Sequence, residues 1–325
     1  MFPGIIGFIA TSFLAAMTKD ATQLIVIRVL QAVSAGAIMV IIPAIIRDVF
    51  PKEQAAKVLS SILLIMTMGS LIAPLLGGQM LKYLDWRSLF IFLAVIGILS
   101  LLLALTRIKE TLTDENRLVI PLTQLATNYL TVIRNREAMG SILSYAFFFG
   151  GMFAFVTASP FVYMELFNVS PEKYGFLYGA NILAMAIANI INIRLIGNFP
   201  LFSVFRSGSV LGAVAAFAGL FNVWFDLGGL AGIMIPTVVY IGCMGLVGPN
   251  SNALALAHFP KSAGTANALA GTLRFTFGGI AAGLVGLLHD GTAMPMAIVM
   301  ALCGCLSMLS LLLFKSTKTT SALHV

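Results

Sequence analysis

Charge is what this chain has least of: of 325 residues, 19 are Lys or Arg and 12 are Asp or Glu. A water-soluble domain carries about 25% charged residues, so a chain with 10% charged and 59% hydrophobic residues cannot cover its own surface in water. With a mean hydropathy of +1.01, its solvent is lipid. Cysteine is also scarce. Cys243, Cys303 and Cys305 all lie in apolar runs, which excludes a disulfide scaffold and makes them small core residues. Acids are absent from the middle of every apolar run, and His258, His289 and His324 lie outside the runs. No buried carboxylate pair, histidine–metal cluster or base beside a nucleophile can be assembled within the membrane. The sequence therefore reads as no enzyme, with no catalytic residues, no metal site and no cofactor. His289-Asp290 reads as an exposed turn before Gly291. The net charge of +7 would suit nucleic acid only if the basic residues were clustered, and they are dispersed.

What is present is hydrophobic length. A helix crossing hydrocarbon needs about 20 apolar residues, and ten runs approach or exceed that: Phe2–Met17, Gln23–Ile46, Val58–Leu81, Ser88–Leu105, Met139–Met164, Tyr174–Ile193, Gly208–Phe225, Gly229–Gly248, Ala263–Leu288 and Met294–Phe314. The expected fold is an all-α polytopic membrane protein of about ten transmembrane helices. The first run has no basic residue before it and leads straight to Lys19-Asp20 and another run, so it reads as a span rather than a cleaved leader.

Cytoplasmic loops carry the excess of Lys and Arg. Thirteen basic residues fall on one face (Arg47, Lys52, Lys57, Arg107, Lys109, Arg117, Arg134, Arg136, Arg194, Arg206, Lys261, Lys315, Lys318) and four on the other (Lys19, Lys82, Arg87, Lys173). The face holding the C-terminus is thus expected in the cytoplasm, and with ten spans the N-terminus joins it. The longest connector divides the chain into an N-terminal bundle of four spans over 1–106, a cytoplasmic connector over 107–138 and a C-terminal bundle of six over 139–325. Within the connector, Leu122–Ile133 is apolar at helical spacing: either a helix along the membrane surface or part of a flexible tether. Many transporters have two equal halves with substrate held between them. Six plus six would require two more spans before Met1.

Two arginines fall inside spans, where an ionisable group is costly and points to function. Arg28 is followed by Gln31, Ala32, Ala35 and Gly36 on one side of its helix, a polar pair with a strip of small residues. It either senses a charge in a cavity or fixes helix packing. Arg274 is flanked at a turn's distance by Gly271 and Gly278, and a structural role is favoured because no acid in its half answers it. In the third run Gly69, Ala73 and Gly77 repeat at four-residue spacing, which lets another backbone approach. Pro74 removes a helical hydrogen bond beside them, and Gly78 completes a candidate gate or hinge. In the sixth, Tyr174, Tyr178, Asn181, Asn189 and Asn192 fall within an arc of about 80°. They line a path or bond other helices. The fifth run is dense in Phe and Tyr, including Tyr145, Phe148, Phe155 and Tyr163.

These segments resemble the major facilitator superfamily, in particular its Bcr/CflA drug:proton antiporters. Arg28-x-x-Gln31 looks like that family's fourth-helix motif, whose Arg is implicated in proton coupling, and Gly69 to Gly78 looks like its fifth-helix antiporter motif, with Ala73 where Gly is usual. Asp85-Trp86-Arg87-Ser88-Leu89-Phe90, Lys109-Glu110-Thr111, Pro160-Phe161-Val162-Tyr163, Phe205-Arg206-Ser207-Gly208 and Ala263-Gly264-Thr265-Ala266 through Phe275 are similar in wording and order. The resemblance implies twelve helices of which the chain has the third onward. It implies a multi-pass protein of the bacterial inner membrane that exports small amphipathic drugs, such as bicyclomycin-like compounds, against protons by alternating access. Its partners would be drugs, protons and the lipid bilayer, and no nucleic acid. Proton coupling would fall to Arg28 and Gln31, the gate to Gly69, Ala73, Pro74, Gly77 and Gly78, and the substrate cavity to Tyr178, Asn181, Asn189 and Arg274. The first-helix acid such antiporters use is lacking, which leaves Arg28 without its counter-charge. The alternative is a non-transporting truncated fragment, or a wrongly started reading frame, of such a transporter.

The charge asymmetry generates a test. A fluorescent protein fused after Val325 is expected to fold and fluoresce, and alkaline phosphatase fused there to be inactive; the opposite pattern reverses the topology.

Overall fold

The computed structural model describes residues 1–107, 122–259 and 262–313. Expectations for the rest of the chain, including those on Lys109, Arg117, Lys261, Lys315, Lys318 and Phe314, lie outside the described residues. Eleven α-helices account for almost all that is described: α1 Phe2–Ala16, α2 Ala21–Val49, α3 Lys52–Tyr83, α4 Arg87–Arg107, α5 Leu122–Arg134, α6 Arg136–Pro160, α7 Pro171–Ile196, α8 Leu201–Trp224, α9 Gly229–Ala257, α10 Ala263–Leu287 and α11 Met294–Ser310. A π-helical turn, Phe161–Leu166, prolongs α6, and a short 3-10 turn, Leu311–Leu313, follows α11. No strand occurs among the described residues. Lipid offers no hydrogen bonds, so a spanning backbone satisfies its own as helix. Among the described residues eight helices are long and apolar enough to cross a membrane, and α1 is a shorter apolar helix of 15 residues.

The ten apolar runs fall on ten helices, but the helices overrun them. Arg206, expected in a connection, lies in the second turn of α8, which starts after Pro200. Likewise α2 continues through Arg47 and α3 begins at Lys52. Helical hydrogen bonding does not stop where hydrocarbon does, and long basic side chains carry their charge outward from a helix end. Starts are marked by side-chain caps: Asp20 accepts from the Gln23 amide at 2.8 Å and Asn135 from the Ala138 amide at 3.0 Å. Between α3 and α4, Asp85 pairs with Arg87 at 2.9 Å, and Arg87 also donates to the Thr18 carbonyl at 3.2 Å, tying this turn to the one after α1.

The chain forms two compact units, one containing α1–α4 and one containing α5–α11. In the first, α1 packs against both α2 and α4. Gly4 and Gly7 bring the α1 backbone against Ser34 and Ile38 of α2, and Gly97 of α4 makes room for Ile9. Helix α3 touches α2 and α4 only lightly. In the second unit α6 lies between α9, α10 and α11, while α8 packs on α9 and α11 and α7 on α9. The tightest point is aromatic. Tyr240 is fully buried, stacks on Phe148 at 4.3 Å and 6°, and donates its hydroxyl to the Phe148 carbonyl at 2.9 Å. Gly151 leaves space for the Tyr240 ring and Gly212 for the Phe148 ring.

The described part of the connector is a helix, α5. Val132 of α5 is fully buried in a cluster with Ala138 and Ile142 of α6, Ala255 and Phe259 at the end of α9, and Ala266 and Ala270 of α10. Its other side carries exposed Leu130 and Ile133.

Overpacking a tight core costs typically 1–3 kcal/mol. Gly212→Val, which drives a side chain into the Phe148 ring, is expected to lower the detergent melting temperature by several degrees, whereas Gly283→Ala, with nothing within 4 Å of the added carbon, leaves it unchanged. Equal melting temperatures for the two variants would contradict this packing.

Candidate functional site

In the four-helix unit, polar groups within the spans converge on Gln31. Its residue is 2% exposed, on the face of α2 that meets α1. Arg28, one turn earlier and itself exposed, donates from Nη1 to Gln31 Oε1 at 2.6 Å. Gln31 Nε2 donates to Ser12 Oγ at 2.6 Å, and Ser12, fully buried on α1, donates to the Phe8 carbonyl at 2.7 Å. Every link runs the same way, guanidinium to amide to hydroxyl to carbonyl, because Arg has donors only and so sets which end of the Gln31 amide faces it. The Arg28 guanidinium also lies 5.7 Å from the ring centroid of Phe90, on α4. The charged side chain thus reaches α4 directly and α1 through Gln31. Charge-assisted and aligned bonds of this kind polarise one another.

The α3 residues are placed differently from the expectation of close packing. A carbon added at Gly69 or Gly77 would meet nothing within 4 Å, and Gly69 and Ala73 are exposed. Among the described residues nothing packs against Gly69 or Gly77. The helix runs unbroken from Lys52 to Tyr83, through Pro74 and Gly78.

In the second unit the sixth-run stripe, now on α7, divides into two. Near its start Tyr178 stacks against Phe155 of α6 at 5.9 Å, Tyr174 lies between Tyr178 and Tyr163 at 6.0 Å from each, and the Tyr174 and Ser159 hydroxyls are 2.9 Å apart. Asn181, 1% exposed, donates to the Leu177 carbonyl at 3.1 Å, while its Oδ1 has no partner. The same holds for the buried hydroxyl of Tyr163. Further along, Asn192 accepts from Asn250 of α9 at 2.7 Å, so this part of the stripe bonds another helix. Asn189 is half-buried where the α9 backbone comes closest, at Gly245.

Arg274 of α10 is half-buried. Its Nε donates to the Ala270 carbonyl at 3.1 Å, and its guanidinium lies 5.2 Å from the Tyr145 ring of α6. Tyr145 in turn fills the notch at Gly248 of α9. The structure brings Arg28 and Gln31 together, and Tyr178 near Asn181, but places Arg274 with Tyr145 rather than with the asparagines.

Several contributors escape a reading by run and stripe. Ser12 is a single hydroxyl in an apolar run. Ser144, Ser209 and Ser307, each fully buried, meet across α6, α8 and α11, with Ser144 Oγ 2.9 Å from Ser307 and 3.5 Å from Ser209. Glu137 and His258, 121 residues apart, meet at 3.2 Å beside a cavity of about 320 Å³ at the α6 and α9 ends. For the serines the signal in the sequence is a hydroxyl among aliphatic residues; for Glu137 and His258 there is none. At the other end of the unit Asp290 closes the turn before α11. Hydrogen bonds from the Thr292 hydroxyl and amide hold its carboxyl below the usual carboxylate range. No group of three metal-ligating side chains occurs among the described residues.

Comparison with known proteins follows from this geometry. The family model of the Major Facilitator Superfamily matches residues 1–283. The bicyclomycin resistance protein homolog of Haemophilus influenzae is 30% identical over 307 residues, 94% of this chain and 77% of that protein. The multidrug transporter MdfA of Edwardsiella piscicida is 24% identical over 277 residues, 84% of this chain and 66% of that one. Among solved structures, the inward-open xylose transporter XylE of E. coli has the same fold, with a TM-score of 0.69 at 15% identity over 98% of this chain and 80% of its own. Apolar helices in two units, a polar chain running from Arg28 into the α1–α2 contact and a family match over most of the length agree: the chain belongs to the major facilitator superfamily and is a multi-pass membrane transporter.

Proposed function

We propose that this transporter exports small amphipathic drugs, bicyclomycin-like compounds among them, from the bacterial cytoplasm in exchange for protons, by alternating access of its two helical units. Its membrane is the inner one, with the C-terminus in the cytoplasm. The observation that carries the coupling half of this reading is the chain from Arg28 through Gln31 and Ser12 to the Phe8 carbonyl. A guanidinium offers donors and no acceptor, so Arg28 is the donor end of this chain. It would respond to the charge of an opposing acid, and Gln31 would pass that change to the α1–α2 contact. The drug half draws support from the relatives, named for bicyclomycin resistance and multidrug transport. Gly69, Ala73, Pro74, Gly77 and Gly78 would serve as the gate, a reading supported by the open space beside Gly69 and Gly77. Tyr178, Asn181, Asn189 and Arg274 would line the substrate cavity. Asn181 favours this most, because a buried amide oxygen without a partner is costly and suits a ligand donor.

One observation favours a second reading, a chain that inserts but does not couple protons: no Asp or Glu occupies the middle of any span, so Arg28 has no acid partner within its span. Both are decided by expression in efflux-deficient cells. Export predicts raised drug tolerance that an uncoupler abolishes and that Arg28→Gln reduces at least tenfold in drug-efflux rate. Unchanged tolerance with correctly inserted protein would leave only the second reading.

The polar chain also makes a prediction about stability. Hydrogen bonds of this kind contribute about 1 kcal/mol each, and contacting residues fail to add. Ser12→Ala and Gln31→Leu are each expected to destabilise the protein, and the double variant by about 1 kcal/mol less than their sum in thermal unfolding. Strict additivity would mean that the two side chains do not interact.

A further inference from the structure

Glu137 and His258 both lie outside the apolar runs, and the fold closes one onto the other where α6 begins and α9 ends. His258 caps α9. Its Nδ1 lies 2.9 Å from the carbonyl of Leu254, in the last helical turn, where donors from within the helix run out. Its Nε2 lies 3.2 Å from Glu137 Oε2. A carbonyl and a carboxylate only accept hydrogen bonds, so each ring nitrogen needs a hydrogen of its own, and a neutral imidazole has one. The two contacts together therefore require one proton more than a neutral imidazole and a carboxylate supply.

Both helix ends suit that arrangement of charge. Glu137 lies in the first turn of α6, where the helix dipole stabilises an anion, and His258 follows the last turn of α9, where it stabilises a cation. Imidazole is the more basic of the two groups, so the added proton stays on the ring. The other charges at this end of the unit are Arg134 of α5, Arg136 of α6, Arg194 in the last turn of α7 and Arg206 near the start of α8. All four are exposed, so water and salt screen their repulsion of an imidazolium. Lys261 and Lys315 lie outside the described residues. Glu137 is the one acid at this end among the described residues of the unit, for Glu165, Glu172, Asp226 and Asp290 lie at the opposite helix ends. The His258 and Glu137 side chains are 31% and 40% exposed, and the cavity beside them, also lined by Asn135, Arg136 and Leu313, gives water access to the pair.

We infer that Glu137 and His258 form a proton-binding site, which takes one proton from water and holds the start of α6 to the end of α9 only while that proton is bound. Loading forms the Nε2–H bond that Glu137 accepts. Unloading returns the proton to water and leaves the Nε2 lone pair facing a carboxylate oxygen, two acceptors that repel, so the ring leaves Glu137 while Nδ1 keeps the Leu254 carbonyl. Further along the same helices, Ser251 donates to the Ser141 carbonyl at 2.8 Å, and Ile142 and Ala255 share a buried cluster. Neither contact contains a group that titrates near neutral pH. Proton loss therefore frees the helix ends and leaves the rest of the α6–α9 contact in place. Arg28 and its polar chain belong to the other unit, and this site works in the same way whatever the protein transports.

The test uses the full chain in lipid vesicles with its histidines labelled with 15N. The chain has three, so His289→Gln with His324→Gln leaves His258 as the one reporter. Solid-state NMR of the ring nitrogens at about pH 5.5 and about pH 8.5, either side of the range in which imidazole changes charge, is expected to show N–H at both nitrogens in acid and at Nδ1 alone in base. Glu137→Gln is expected to weaken proton binding by about threefold, the size suited to a partly exposed ion pair. An Nε2–H tautomer in base would overturn the inference, because Glu137 would then keep its hydrogen bond with no added proton. Proton binding that Glu137→Gln leaves unchanged would overturn it as well. A second measurement reads the latch itself in the protein with all three histidines: the melting temperatures of Glu137→Gln, His258→Gln and the double variant are expected to be non-additive at the lower pH and additive at the higher. Equal coupling at both pH values, or none at either, would contradict a proton-dependent contact.

Discussion

Lipid cannot hydrogen-bond, and nearly every feature of this protein answers that constraint. The backbone is satisfied by running as helix through each span. Side chains with polar tips have no such default, so each must find a partner on its own or a neighbouring helix. Gln31 reaches Ser12, Asn250 reaches Asn192, Ser144 reaches Ser307, and Tyr240 reaches the carbonyl of the residue it stacks on. These bonds cross helix pairs that also interlock through glycine, so polar satisfaction and close packing occur at the same places. The alternative, a large side chain at such a crossing, would separate the backbones and strand the polar atoms together.

The exceptions are concentrated. Three buried oxygens, those of Tyr163 and of the Asn181 and Asn250 amides, lack a partner among the described residues, and all three lie in the second unit. Arg28 and Arg274 are the charged counterparts of this pattern. Each spends part of its guanidinium on a nearby oxygen and lies near an aromatic face, Phe90 for one and Tyr145 for the other. A cation held by an amide or a carbonyl and a ring is kept in place without being neutralised. That is the condition under which it remains responsive to an anion.

Helix number was legible because hydrophobic length is a one-dimensional property: an uninterrupted apolar run of sufficient length has few other solutions in a cell. Arg28-x-x-Gln31 was legible too, since residues three apart on a helix are neighbours whatever the tertiary arrangement. Ser12 was not, because nothing local distinguishes it from a hydroxyl that bonds only its own helix. The α7 stripe shows the limit of periodicity. A shared face was visible, but Tyr178 answering α6 and Asn192 answering α9 depend on which helix lies opposite at each height. The α3 stripe shows the converse, for Gly69 and Gly77 signal a capacity for close approach that no neighbour among the described residues takes up.

By composition and order alone, then, the chain determines that it lives in lipid, that its spans are helices, and that one arginine and one glutamine share a side of the second. Those properties are set by solvent and by helix geometry, which act within a few residues. Only the tertiary structure decided that Gln31 points at Ser12, that Tyr240 fits over Gly151 and that three serines from distant spans meet. Such contacts join residues from tens to more than a hundred positions apart, and which pairs meet is settled by the interlocking of whole helices.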